Sequence, residues 1–109
     1  ILNDQTLKHW NNLYQAIQQQ QAVKIVYFSL NEQLSERIIF PLGLFYWGEK
    51  WVVGTWCILR NSYRDFRVDR IQNLNFADDV EFPGQEVSLE AYTYFNNQAW
   101  EIIKSSSSN

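Results

Sequence analysis

Leu7, Trp10, Leu13, Tyr14 and Ile17 recur at intervals of three and four, which places them on one apolar stripe of a helix. The spacing predicts a helix over 7–20, capped by Asp4 or Thr6 and completed by the polar tract 18–21. His9 falls off this stripe and is expected at the surface. From Ala22 the period changes to two. Val23, Ile25 and Tyr27 alternate with Lys24, Val26 and Phe28, a strand with both faces largely covered. Residues 30–33 form a polar turn. A second strand covers 36–46 and bends near Pro41 and Gly43, where the missing N–H of proline marks an edge or a bulge. Gly48-Glu49 suits a type II′ hairpin turn with glycine first. A third strand covers 50–59, a loop 61–63, a fourth strand 64–69 and a short fifth 71–76. After a turn at Pro83-Gly84, Leu89, Tyr92 and Phe95 return to helical spacing behind a Ser88 cap. A second short helix is expected over 99–104, and disorder over 105–109. One helix followed by five short, closely connected strands predicts a mainly β fold with flanking helices. A small closed β-barrel is the expected form, because closure limits exposed edges. The expected domain is 1–96, followed by a partly disordered tail, 97–109.

Composition narrows the possible chemistry. The 109 residues suffice for one modest core. A net charge of −3 excludes a generic nucleic-acid binder, but the charges are unevenly placed. Four of the five arginines, Arg60, Arg64, Arg67 and Arg70, lie within eleven residues, and the fifth is Arg37. Residues 78–90 carry five carboxylates and no base. The single cysteine, Cys57, sits in an apolar run and reads as a small buried residue. With one histidine, one cysteine and no nucleophile–base motif, catalysis finds no support, and neither a metal nor a cofactor is expected. Asp78-Asp79 lacks further ligands at suitable spacing. The N-terminus shows no basic segment leading into an apolar one, and Gly43, Gly48, Lys50 and Gly54 interrupt the apolar runs. A cytoplasmic chain with no membrane span is expected. The missing initiator Met suggests an excised fragment with further domains beyond it.

The arginines admit two readings. A guanidinium presents a donor fork that fits phosphate oxygens in pairs and can stack on a base. Arg37, Arg64 and Arg67 are the candidates for one convergent anion site, with Arg67 projecting outward between Phe66 and Val68. Arg70, at the strand's end, suits a structural ion pair or a turn contact as well as a ligand contact. The other reading pairs the arginines with Glu36, Asp65 and Asp69 at the surface, worth ~0–1 kcal/mol each. Tyr27, Tyr63, Trp51 and Trp56 could supply stacking faces or simply pack the core. Trp51 and Trp56 are an odd number apart, so they face opposite sides of a strand. Tyr63, beside the arginines, is the aromatic expected to be exposed.

The run Leu13-Tyr14-Gln15-Ala16-Ile17 followed by Val23-Lys24-Ile25-Val26-Tyr27 resembles the helix-to-strand entry of WYL domains. Arg37 to Leu44, with its Arg and Pro four apart, resembles their second strand. Trp51-Val52-Val53 stands where the family's Trp-Tyr-Leu would be, and Arg64 to Ile71 resembles their arginine-rich strand and turn. The resemblance covers roughly residues 10 to 95. It implies an Sm-like, SH3-type small barrel with an N-terminal helix, found mostly in bacterial transcription regulators. The implied ligand is a nucleotide or a single-stranded nucleic acid, held by Arg37, Arg64, Arg67, Arg70, Tyr27, Tyr63 and Trp51. The implied partners are DNA, through a helix-turn-helix domain outside this chain, and a second copy in a homodimer. The alternative from another class is a dimerisation module whose arginines bridge to the acidic segment of a partner subunit. Val52 and Val53 depart from the family pattern, so no tyrosine ring or hydroxyl is available there.

Overall fold

The computed structural model describes residues 3–84 and 86–97. Helix α1 (Asp4–Gln19) precedes β1 (Ala22–Phe28), β2 (Leu34–Trp47), β3 (Lys50–Cys57) and β4 (Ser62–Arg67). A single 3-10 turn (Val68–Arg70) leads into β5 (Ile71–Ala77), and residues 89–97 are helical. The helix expected over 99–104 and the tail at 105–109 lie outside the described residues.

The cap of α1 is Asn3, one residue before Asp4 and three before Thr6, the two expected caps. The Asn3 side chain accepts from the Thr6 N–H at 2.8 Å. The helix ends where Gln20 turns left-handed (φ 51) and returns its N–H to Ala16 and Ile17. The buried face is not the stripe of largest apolar residues. It comprises Thr6, His9, Leu13 and Ala16, while Leu7 and Tyr14 are exposed. His9, expected at the surface, is only 7% exposed. Tyr14 lies instead on Trp10, with ring centroids 5.6 Å apart.

The strands form one antiparallel sheet in the order β4-β3-β2-β1-β5. Its edges, β4 and β5, are joined by only the three-residue 3-10 turn. Four strand spacings across a flat sheet would span about 19 Å. Four residue steps reach at most about 14 Å, and a 3-10 turn less. The sheet must therefore curl strongly. The curl stops short of the expected barrel, because no ladder joins β4 to β5. The N–H of Arg67, at the end of β4, donates to the Tyr27 hydroxyl at 3.0 Å. A side chain thus occupies a donor that a closing strand would have paired. The fourth strand also ends at Arg67 rather than Asp69, and it begins at Ser62, within the expected loop.

Pro41 lies on the central strand, and its missing donor falls at a register shift between Pro41 and Gly43. In the β2–β3 turn Gly48 (φ 58) and Glu49 (φ 65) are both left-handed. Two positive φ angles identify a type I′ turn, not the II′ turn expected from a leading glycine.

Two cores fill the two sides of the sheet. Leu13, Ile25, Ile39, Val53, Cys57, Phe66 and Val68 pack between α1 and the concave face, with Cys57 wholly buried as its apolar run implied. On the outer face Leu42, Val87 and Tyr92 gather with Trp56, Tyr63 and Phe82. Trp51 and Trp56 accordingly join different cores. Gly43 and Gly54 are paired across β2 and β3, which leaves a bare platform. A Cβ on Gly54 would lie 2.5 Å from the Tyr92 ring, and one on Gly43 3.0 Å from Leu89. The segment 89–97 can approach the sheet because both residues are glycine. Ser88 caps this segment as expected, accepting from the Ala91 N–H at 3.0 Å.

Candidate functional site

The alternation of β2 puts Ser35 and Arg37 on the concave face with the core residue Ile39. The alternation of β4 does the same for Arg64, two residues before the buried Phe66. Arg60 follows the end of β3, in a tight turn where Asn61 is left-handed (φ 49) and donates to the Ile58 carbonyl. These three arginines border one cavity of about 190 Å³ at the open end of the curled sheet. Tyr27, Phe66 and Cys57 line its inner part, and Ser29 and Ser35 contribute hydroxyls.

The charges at this cavity are unbalanced. Among the described residues Arg37, Arg60 and Arg64 form no salt bridge. Arg37 Nη1 is buried and has no hydrogen-bond partner there. A donor left so is costly, about 1–3 kcal/mol and more when charged. Asp65 is the one carboxylate among the described lining residues, and its Oδ1 accepts from the Tyr92 hydroxyl. The cavity therefore combines guanidinium forks, two hydroxyls and an aromatic ring, a donor set suited to an oxyanion carried on a flat ring.

The other candidate residues lie elsewhere. Arg67 projects from the outer face, as its place between Phe66 and Val68 implied, but this carries it away from Arg37 and Arg64. Its Nε and Nη2 donate to the two oxygens of Asp69 at 3.1 and 2.7 Å. This fork raises the pKa of Arg67. It also holds the Asp69 carboxyl below its usual range, with help from Lys50 at 3.7 Å. Arg70 is a structural clamp. It donates to the carbonyls of Phe28 and Ser29, both at 2.7 Å, and its guanidinium lies 5.1 Å from the Phe28 ring centre. Tyr63, expected beside the arginines and exposed, is half-buried on the outer face. Its ring meets Trp56 at 5.0 Å and its hydroxyl donates to the Glu86 carbonyl. Trp51 packs on Trp10 and Tyr46 and borders a separate cavity with Asn3, Thr6 and Asp69.

Of the seven candidates, then, Arg37, Arg64 and Tyr27 share the cavity. Arg60 was within reach of sequence reasoning, since it opens the arginine-rich stretch. Ser29 and Ser35 were not, because a turn serine carries no mark of what it faces. Among the described residues no group of three His, Cys, Asp or Glu side chains could hold a metal ion. No helix among them is long and apolar enough to cross a membrane.

Comparison with known proteins adds family evidence to this geometry. The family model for the WYL domain matches residues 8–76. The DNA-binding transcriptional repressor CapW of Escherichia coli is 36% identical over 73 residues, covering 65% of this chain and 24% of the repressor. CapW of Escherichia coli strain KTE188 matches to the same extent. The chain thus spans about a quarter of the length of these curated relatives. Among solved structures, the proteasome accessory factor B/C (PafBC) of Arthrobacter aurescens superposes with a TM-score of 0.70 at 24% identity. That match covers 79% of this chain and 13% of PafBC, and it bears on the fold alone.

Proposed function

The chain belongs to the WYL domain family, and from that premise we propose that it is the ligand-sensing domain of a transcription regulator. Its sensing site is the cavity bordered by Arg37, Arg60 and Arg64, and its ligand bears a phosphate, as a nucleotide or a short single-stranded nucleic acid. The observation that carries this reading is the buried, unpartnered Arg37 Nη1 beside two further arginines without carboxylate partners among the described residues. An anion would satisfy a donor that the described protein groups leave unmade. Tyr27 is the link to the rest of the domain. Its ring lines the cavity and its hydroxyl holds the junction between β4 and the 3-10 turn. A ligand bound more tightly in one arrangement of that junction than in another would shift the equilibrium of an attached DNA-binding domain or a homodimer. No step of this role requires catalysis.

Fluorescence anisotropy with single-stranded DNA, RNA and cyclic dinucleotides at two salt concentrations tests the site. Arg64→Ala and Arg37→Ala should each weaken binding on the order of ten- to hundredfold, the loss of one charge-assisted hydrogen bond of roughly 1.5–3 kcal/mol. Affinity should fall as salt rises. Arg67→Ala, which removes only the fork to Asp69, should leave affinity close to that of the unaltered chain. The same arginines, without salt-bridge partners among the described residues, fit a second reading, in which a partner subunit's acidic segment occupies the cavity. Oligonucleotide binding that ignores Arg37 and Arg64, with a dimer that needs them, would select it.

A further inference from the structure

A second cavity, of about 360 Å³, opens on the outer face of the sheet. Phe45 and Val52 are paired across β2 and β3 and lie at its base. The Phe45 ring stacks on Tyr92 with centroids 5.7 Å apart and planes 17° from parallel. Trp47, two residues along the same face, is 81% exposed and stands as a further wall. Asp65, Asn96 and Thr93 add polar groups at the rim. Three aromatic rings and a carboxylate thus border one concavity.

Among the described lining residues the one formal charge is negative. Among the described residues Asp65 has no salt-bridge partner, and only its Oδ1 receives a described hydrogen bond, from Tyr92. Arg64, the chain neighbour of Asp65, projects by strand alternation to the opposite, concave face, and the basic groups nearest on the outer face are already engaged. Arg67, paired with Val52 in the ladder, forks to Asp69, and Lys50, opposite Trp47, also lies against Asp69. Aromatic faces attract cations through their negative quadrupole, and a carboxylate reinforces that attraction. An anion would meet repulsion from Asp65. A neutral apolar guest would gain the rings but nothing from the carboxylate.

We propose that the cavity of Phe45, Trp47, Tyr92 and Asp65 binds an organic cation, either an alkylated ammonium or a guanidinium. This site shares Asp65 with the rim of the arginine cavity but opens on the outer face of the sheet, and it attracts ligands of the opposite sign. It goes beyond the sensing role and stands or falls separately from it. Gly54 is part of its construction, because Tyr92 could not lie against the sheet over any larger residue.

The test titrates the full 109-residue chain with tetramethylammonium, methylguanidinium and a capped Gly-Arg-Gly peptide, following Trp47 by indole NMR shifts. Neopentyl alcohol serves as a neutral guest of similar shape. The cations should bind about tenfold more tightly than the alcohol, as expected for a partly desolvated cation–π site. Asp65→Asn should remove most of that preference while retaining a partner for the Tyr92 hydroxyl. Trp47→Ala, at an exposed position, should weaken cation binding without lowering the melting temperature; its binding is followed by shifts of the Tyr92 ring. Tighter binding of the peptide than of methylguanidinium identifies a protein side chain as the guest, and the reverse order identifies a small molecule. Equal affinities for cation and alcohol, or an Asp65→Asn variant that keeps the preference, would overturn the proposal.

Discussion

Single residues show how similar sequence surroundings lead to different roles. Arg64 and Arg67 are three apart on one short strand, so they face opposite sides of the sheet. One borders a cavity without a carboxylate partner among the described residues, and the other is locked to Asp69 by two hydrogen bonds. The cluster of arginines was plain in the sequence. The expectation that Arg64 and Arg67 converge ran against strand parity, which divides them between two faces, and Arg37 and Arg60 could be placed beside Arg64 only by the curl of the sheet. His9 is buried although the largest apolar residues of α1 mark a different stripe. Contact with the sheet instead selects small or slender residues, Thr6, His9 and Ala16, around Leu13. Burial lowers the His9 pKa below its ordinary 6.5, and the charge of Lys8 adds to this. The unfolded chain therefore binds the proton more readily than the folded one. The contribution of neutral His9 is fully present above pH 6.5 and falls as the pH drops through the lowered folded value. Thermal melts between pH 5 and 8 should show this loss on acidification, and His9→Gln should flatten that part of the profile. An unchanged profile in the variant would mean that His9 is not buried in its neutral form.

At the scale of elements, the period-two runs located all five strands, and the ends moved by a few residues at most. The turn geometry was less legible. A glycine before Glu49 suggested II′, yet the twist of β2 and β3 imposes two left-handed residues. The docking of segment 89–97 could not be read at all. It depends on Gly43 and Gly54 facing each other across two strands, a pairing set by the bulge after Pro41. Gly54→Ala should push Tyr92 off the sheet, since the new Cβ would fall 2.5 Å from its ring. The expected cost is about 1–3 kcal/mol, the range for overpacking. Urea denaturation would measure it, and near-UV circular dichroism should report the loosened contact of Tyr92 with Tyr63, now 5.9 Å apart. Full stability in the variant would show that the segment does not rest on this platform.

For the molecule as a whole, the curl turns a sheet into a container with one open end. A closed barrel was expected from the need to hide strand edges. The observed solution leaves the ends of β4 and β5 unpaired and uses Tyr27 and Arg70 as side-chain clamps. Tyr27→Phe removes the acceptor of the Arg67 N–H and should cost roughly 0.5–1.5 kcal/mol. It retains the ring that lines the cavity, so a ligand sensed there should still bind while its effect on an attached domain weakens. Melting curves and ligand affinity measured on one preparation would separate the two effects. Loss of affinity equal to that of Arg64→Ala would place the Tyr27 hydroxyl in the binding site itself.

Arg37, Arg60 and Arg64, without salt-bridge partners among the described residues, are central to the function proposed for this WYL domain, and one comparison tests them most directly. Oligonucleotide affinity is measured by fluorescence anisotropy for the unaltered chain, Arg64→Ala and Arg67→Ala, with thermal melts alongside. Arg64→Ala should lose on the order of ten- to hundredfold in affinity with little change in melting temperature. Arg67→Ala should keep its affinity, because its fork is spent on Asp69. Equal affinity in all three proteins, or a loss in Arg67→Ala alone, would contradict the assignment of the cavity as the sensing site.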